Sequence, residues 1–421
     1  MTEPTFKKIS VIGLGYIGLP TAAMFASRKI EVVGVDVNQH AVDTINRGEV
    51  HIVEPDLDLA VRAVVSEGYL KATTEPEPAE AFLIAVPTPF KGENHEPDLK
   101  YIEAAARAIA PVLKTGDLVI LESTSPVGAT EAMANWLAEA RLDLTFPQTA
   151  GEASDIRVAH CPERVLPGKV MQELITNDRV IGGMTAKCSE AAARLYRNFV
   201  TGECVVASGP RVAEMAKLTE NSFRDVNIAF ANELSIICDK LDMDVWELIS
   251  LANRHPRVNI LQPGPGVGGH CIAVDPWFIV SSAQEQAQLI RTAREVNDSK
   301  PEWVLEKVRA AIGAHLMENA KCSATEVTVA VYGLAFKPDI DDLRESPALN
   351  IARHLAGEHT GPLLVVEPNI HELPRDLEAA RLVDLATAGA ADVHLMLVDH
   401  TPFKASAAPS GRIVDARGVW G

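Results

Sequence analysis

Hydrophobic and polar positions alternate in two textures along this chain. Short apolar runs with glycine or polar residues close behind read as strands: ISVI at 9–12, VVGVD at 32–36, FLIAV at 82–86, LVIL at 118–121, IRVAH at 156–160, RVIG at 179–182 and ECVV at 203–206. Stretches between them carry apolar residues at helical spacing, as at 19–28, 99–113 and 189–199. Strand alternating with helix predicts a parallel, doubly wound sheet over the first 205 residues.

The texture changes at Arg211. From there to Leu241 the chain has no proline or glycine, which predicts one unusually long helix of about 30 residues. Its apolar residues run almost all round, so it is expected to be buried between domains, as a spine joining them. A second α/β pattern starts near residue 325, with strands at 327–333, 363–366, 393–398 and 412–414. The polar stretch 315–326 reads as the boundary before it, and no internal repeat is visible.

Length and charge narrow the picture. A chain of 421 residues exceeds one small core, and its 47% apolar and 23% charged residues describe an ordinary globular protein. A net charge of −18 argues against nucleic acid or an anionic membrane as partner, while leaving room for a local basic pocket. The cysteines at 161, 188, 204, 238, 271 and 322 form no C-x-x-C pair and no zinc-ligand spacing. They fit a reducing, cytoplasmic setting without a metal site. The polar start MTEPTFKK predicts no signal peptide, and no apolar run is long enough for a membrane span.

The first chemical motif is Gly13-x-Gly15-x-x-Gly18, directly after a strand and opening a helix. Gly13 permits the turn, Gly15 admits a pyrophosphate to the backbone, and Gly18 lets helix and strand pack closely. The helix N-terminus offers N–H groups and positive dipole to phosphates. Asp36 ends the second strand, where an acid accepts from both ribose hydroxyls and repels a 2′-phosphate, so NAD is favoured over NADP. Thr88 and Thr124 follow later strands and read equally as nicotinamide contacts or as helix caps. The expected fold class is α/β, two Rossmann-like doubly wound domains joined by a long central helix, divided as 1–205, 206–315 and 316–421.

Basic residues then gather in patterns that suit an anion. Lys217, Asn221 and Arg224 share one face of the long helix. A solvated face is the usual reading, but a cation on a helix expected to be buried needs an anionic partner. His255 and Arg257, Arg164 and Val165 beside Glu163, and Phe336, Lys337 and Arg344 add to the set. An anionic substrate lying between two α/β domains accounts for them together.

The stretch PGPGVGGHCIAVDPWF, 263–278, holds Cys271 after a run of glycines. A metal ligand is disfavoured, since the adjacent His270 diverges from it. A packing residue and a nucleophile both stay open, the glycine-rich approach favouring the nucleophile. Glycines 264, 266, 268 and 269 are read as sites of close backbone approach to a ligand. Asp275 reads as a helix N-cap before Pro276, or as an acid one turn from the cysteine. A nucleophilic cysteine beside a dinucleotide site suits oxidation of a primary alcohol through an aldehyde to an acid.

These strings together resemble the nucleotide-sugar 6-dehydrogenases of the UDP-glucose/GDP-mannose dehydrogenase family. The resemblance runs from GLGYIG through ESTSPVG, CPERVLPG, KLTENSFRDVNIAFANE, GPGVGGHCIAVDP and GLAFKPDIDDLRESPA to VDARG, essentially the whole chain. The strings VPTPFKG, NRHPRVNILQPGPGVGGHCIAVDPWFIV and LIRTAREVND narrow it to one branch, set apart from UDP-glucose dehydrogenases by the sequence around the cysteine. It implies a four-electron oxidation at C6 of a UDP-sugar with two NAD, feeding surface polysaccharide synthesis. Tyr16, Ile17, Asp36, Thr88 and Thr124 would bind NAD, with Arg344 reaching it from the last domain. Cys271 would be the nucleophile and Lys217 the proton donor or acceptor. Glu163 and Asp275 would position the hydrolytic water. Arg164, Val165, Lys217, Asn221, Arg224, His255, Arg257, Gly268, Phe336 and Lys337 would hold the UDP-sugar, with Asn221 also in the catalytic set. Arg417 stands where the family motif carries lysine, keeping charge but not geometry. A homodimer is expected from the apolar face of the long helix.

Overall fold

The computed structural model describes residues 6–92, 94–166, 168–269, 271–319 and 322–420. The chain divides into two compact units, Met1–Glu220 and Asn221–Gly421.

The first unit is built on an eight-stranded sheet. Its strands are β1 (Lys8–Ile12), β2 (Glu31–Val35), β3 (Leu70–Thr73), β4 (Ala81–Ile84), β5 (Leu118–Leu121), β6 (Arg157–His160), β7 (Arg179–Gly183) and β8 (Cys204–Val206). The spatial order is β8-β7-β6-β5-β4-β1-β2-β3. All neighbours run parallel except β6 and β7, which pair antiparallel at Ala159–Gly183 and His160–Gly182. The central strands β4 and β5 are buried throughout, as a sheet covered on both faces requires. Helices such as Gly18–Ser27 and Lys100–Ile109 bury their apolar faces on it, and two cores result, one per face. β3, with the sequence LKAT, is half polar, and its sequence carries too weak a pattern to be read as a strand.

The second unit repeats the plan with five parallel strands. They are β9 (Val329–Tyr332), β10 (Leu363–Val366), β11 (Ala380–Leu382), β12 (Val393–Met396) and β13 (Arg412–Asp415), in the order β11-β10-β9-β12-β13. β9 and β12 are buried along their length.

The two sheets begin in the same way, although no repeat is visible in the sequence. Gly13 follows β1 with φ +90°, and Gly333 follows β9 with φ +90°. Gly13 N–H donates to Val35 O at 2.7 Å, and Gly333 N–H to Val366 O at 2.9 Å. Leu14 N–H donates to Asp36 Oδ2 at 2.9 Å, and Leu334 N–H to Glu367 Oε2 at 2.7 Å. Each unit thus joins a strand, a left-handed glycine and an acid closing the second strand.

Two helices of 31 residues are present, Pro210–Lys240 and Gln288–Glu318. The first matches the expected long helix and runs across the division between the units. It is not buried all round: Val212, Met215, Phe223, Phe230 and Ile237 are exposed. The second contains Pro301, a residue that ordinarily ends a helix. It continues because Val304, Leu305 and Val308 are buried in the core of the second unit. It runs to Glu318, through the start of the polar stretch 315–326 that read as a boundary.

Candidate active site

The dinucleotide turn lies wholly in the first unit. A Cβ on Gly18 would lie 1.8 Å from Gly13 O, and one on Gly13 would lie 2.5 Å from Ala85 O. Both positions admit only glycine. A Cβ on Gly15 would meet nothing within 4 Å, so open space lies above that residue. Gly15 therefore marks where a pyrophosphate has room, as the motif requires. Helix Gly18–Ser27 starts without a side-chain cap at Ile17, leaving first-turn N–H groups for an anion. Tyr16 and Ile17 are half-buried beside it.

Asp36 is oriented by two backbone donors, Leu14 N–H and Asn38 N–H, each at 2.9 Å. Each carboxylate oxygen keeps a lone pair for a ribose hydroxyl. Thr88 is buried, and its hydroxyl has no hydrogen-bond partner among the described residues. Thr124 is half-buried next to Ser123, which donates to Val86 O at 2.7 Å. The turn, the open space at Gly15, the directed acid and the orphaned Thr88 hydroxyl fit NAD.

A second cluster of the first unit is buried, with Glu163, at 6%, its most exposed member. Glu163, after β6, accepts from Arg179 Nη1 at 2.5 Å and from Arg164 N–H at 2.8 Å. Arg179, on β7, stacks 5.0 Å from the Tyr196 ring centroid. Tyr196 Oη donates to Glu122 Oε1 at 2.9 Å. Burial, with Glu163 beside it, pushes the Glu122 carboxyl up to about 8. Arg179, Tyr196 and Glu122 were not among the expected site residues, since nothing in their local sequence separates them from core or surface positions. The Arg164 guanidinium pairs with Glu220, Nη2 to Oε1 at 2.7 Å. Val165 packs half-buried against the apolar core. Lys217 is buried on the long helix, so the solvated reading fails for it.

In the second unit Asn221 is also buried, and its Nδ2 donates to Asp275 Oδ2 at 2.5 Å. Asp275 is not the N-cap of its helix. The helix is Asp275–Ser282, the cap is Val274, and Asp275 is its buried first residue, turned to Asn221. Asp275 N–H and Val274 N–H both donate to Cys271 O, at 2.8 and 3.1 Å. This turn fixes the backbone of Cys271 and leaves the residue exposed. His270 lies outside the described residues. Arg224, His255 and Arg257 are exposed.

The glycines before Cys271 are occupied by protein rather than left open for a ligand. A Cβ on Gly268 would lie 2.5 Å from Glu345 O and 2.9 Å from Phe336 Cβ. On Gly269 it would meet the Phe336 ring at 3.0 Å, and on Gly264 the Arg417 guanidinium at 2.8 Å. Their smallness serves packing between this loop and the segments bearing Phe336 and Arg417. A cleft results, lined by Pro265, Gly266, Ala335, Phe336, Asp399 and Arg417. Lys337 is half-buried beside Phe336. Arg417 is held by Asp399, Nε to Oδ1 at 2.9 Å. Arg344 is exposed, with Nη2 donating to Asp342 Oδ2 at 2.6 Å.

Residues 7–200 match the NAD binding domain, 211–299 the central domain and 330–421 the UDP binding domain of the UDP-glucose/GDP-mannose dehydrogenase family. The chain is 67% identical over 421 residues to the UDP-N-acetyl-D-mannosamine dehydrogenase of Yersinia pestis, covering 99% of this chain and 100% of that one. It is 64% identical to an NDP-N-acetyl-D-galactosaminuronic acid dehydrogenase of Ralstonia nicotianae, covering 99% and 96%. Among solved structures, the UDP-D-ManNAc dehydrogenase of Pyrococcus horikoshii aligns with TM-score 0.87 at 39% identity, covering 98% and 96%. The chain belongs to the UDP-glucose/GDP-mannose dehydrogenase family and is an NAD-dependent dehydrogenase.

Proposed function

We propose that this enzyme oxidises UDP-N-acetyl-D-mannosamine at C6 to UDP-N-acetyl-D-mannosaminuronate, with Cys271 carrying the intermediate. The full-length identity of 66 to 67% to relatives of that name supports the substrate. The observation that carries the chemistry is the exposed Cys271 held one turn from the buried Asp275–Asn221 pair.

Gly13, Gly15, Tyr16, Ile17, Gly18, Asp36, Thr88, Thr124 and Arg344 would hold NAD. Bound there, NAD would supply the hydride acceptor for each of the two oxidations at C6. Lys217 takes the C6 hydroxyl proton as the aldehyde forms. The Cys271 thiolate adds to the aldehyde carbon, making a C–S bond and an oxyanion that is protonated to the thiohemiacetal. Its C–H hydride leaves and its hydroxyl proton goes to base, which gives the thioester. Water, positioned by Asp275 and Glu163, attacks the acyl carbon. The C–S bond breaks, the thiolate is regenerated, and the uronate leaves. The balance is one alcohol, one water and two NAD to one carboxylate, two NADH and three protons. Arg164, Val165, Asn221, Arg224, His255, Arg257, Gly268, Phe336, Lys337 and Arg417 would hold the UDP-sugar, Gly268 through the packing of its loop. The product suits surface polysaccharide synthesis of the enterobacterial common antigen type, and the enzyme works in the cytoplasm.

The test is a panel of UDP-hexosamines assayed for NADH. Two NADH per UDP-N-acetylmannosamine are expected, with turnover abolished in Cys271→Ala. A ratio of one, or unchanged turnover in that variant, removes the thioester route. Preference for the galacto sugar instead favours the same oxidation on an N-acetylgalactosamine nucleotide, a reading raised by the Ralstonia relative.

The active form is a homodimer. Phe223, Phe230 and Ile237 recur every seven residues on the long helix and are exposed by 69%, 49% and 43%, a stripe of the kind that pairs with a second copy. Light scattering behind a sizing column should give twice the chain mass for the wild type. Phe230→Glu should give the single mass.

A further inference from the structure

The second sheet begins like a dinucleotide turn, but its acid is used differently. Glu367, the counterpart of Asp36, is fully engaged by protein. Its Oε2 accepts from Leu334 N–H at 2.7 Å, Ala335 N–H at 3.2 Å and His400 Nε2 at 3.0 Å. Its Oε1 accepts from Asn369 N–H at 3.1 Å. The His400 and Glu367 side chains are both 0% exposed. No ribose reaches this acid.

The His400 tautomer is set by its neighbours. Asp339 N–H points at Nδ1 from 2.9 Å, and Asn369 Nδ2 lies 3.2 Å from the same nitrogen. A backbone N–H only donates, so Nδ1 accepts and the ring proton sits on Nε2, facing Glu367. The next residue extends the hold: Thr401 N–H and Oγ1 donate to the two Asp339 carboxylate oxygens at 2.9 and 2.7 Å.

One buried pair therefore grips both ends of a single loop. Glu367 takes its start, at Leu334 and Ala335, and His400 takes its end, at Asp339. Phe336 and Lys337 lie between. Asp339 holds φ +61°, a strained value for a non-glycine residue that such a grip maintains. Phe336 in turn packs on Gly268 and Gly269, three and two residues before Cys271. Asp399, next to His400, holds Arg417 across the same cleft.

We infer that His400 is a positioning residue for the substrate: by locking the 334–339 loop it sets how tightly the cleft grips the UDP moiety. The inference rests on the reading of this cleft as the UDP-sugar site. His400 touches neither cofactor nor reacting carbon in this scheme, so it governs affinity rather than the chemical step.

Three variants test it, by titration calorimetry with UDP and with NAD and by steady-state kinetics. His400→Phe keeps a ring and loses both nitrogens. It should weaken UDP binding and raise the sugar KM by about 10- to 100-fold, the effect of one or two lost buried hydrogen bonds. Affinity for NAD and kcat at saturation should change by less than about threefold, within the spread of a site left intact. His400→Asn retains an acceptor near Nδ1 and should recover most of the UDP affinity, whereas His400→Gln, which retains only the donor toward Glu367, should not. Unchanged UDP affinity in His400→Phe overturns the inference, as does an equal loss of NAD affinity. If His400→Phe does not fold, the Asn and Gln variants decide: Gln matching or exceeding Asn overturns it. A wild-type enzyme that does not bind UDP removes the cleft reading itself, whereas failure of the variants alone leaves that reading standing.

Discussion

Asn221 and Asp275 lie 54 residues apart in sequence and meet at 2.5 Å in a buried contact, amide nitrogen to carboxylate oxygen. The carboxylate is thereby turned away from capping its own helix and held one turn from Cys271. An acid so placed suits the hydrolysis of an acyl-cysteine. Asp275→Asn keeps the shape and removes the base. Rapid mixing should then show a burst of about two NADH per active site, followed by a steady state slowed roughly 100-fold or more. A loss of turnover without a burst assigns Asp275 to an earlier step.

The second and third glycines of the dinucleotide turn should fail differently. Gly18→Ala drives a methyl into Gly13 O, and backbone cannot step aside cheaply. A loss of about 1–3 kcal/mol in stability is expected, read from urea unfolding. Gly15→Ala points into open space, so its stability should hold while the KM for NAD rises about tenfold. Equal stability losses in the two would contradict this geometry.

Glu122 should tie stability to pH. Its carboxyl is raised on folding from 4.5 to about 8, mainly by burial. Between those values the native state binds the extra proton, so stability falls as pH rises through the window and levels off above it. Glu122→Gln removes this titration while leaving Tyr196 an acceptor. Urea midpoints at pH 5 and pH 8 should converge in the variant relative to wild type, and parallel shifts would refute the assignment.

Lys300 shows the opposite sign. It is buried against Ser235 and 3.5 Å from the Trp303 ring centroid, and desolvation lowers it from 10.5 to about 7. The unfolded chain holds the extra proton between those values, so this group makes stability rise with pH from about 7 to about 10.5. Lys300→Met should stabilise the protein at pH 6 by about 1–3 kcal/mol, with the gain shrinking toward pH 10. Thermal melts across that range measure it.

The dinucleotide site was legible because its parts are local. Gly13, Gly15, Gly18 and Asp36 sit within one strand–helix–strand unit, where backbone sterics and strand periodicity alone dictate their places. The long helix Pro210–Lys240 was legible for the same reason. The helix Gln288–Glu318 was hidden by Pro301, whose local penalty of about 3 kcal/mol is outweighed by the burial of distant side chains. The glycines before Cys271 were misread as room for a ligand, because sequence cannot say which segment lies across them; Phe336, Glu345 and Arg417 do.

Local pattern thus determined the α/β class, the cofactor turn and the candidacy of Cys271. The tertiary structure alone decided which partner each charge takes: Glu163 takes Arg179, Arg164 Glu220, Arg417 Asp399 and Glu367 His400. Glu163 and Arg179 are 16 residues apart, and Glu367 and His400 are 33 apart. A buried charge is tolerable only beside its partner, and that partner is chosen by how strands order in a sheet rather than by how residues follow in a chain.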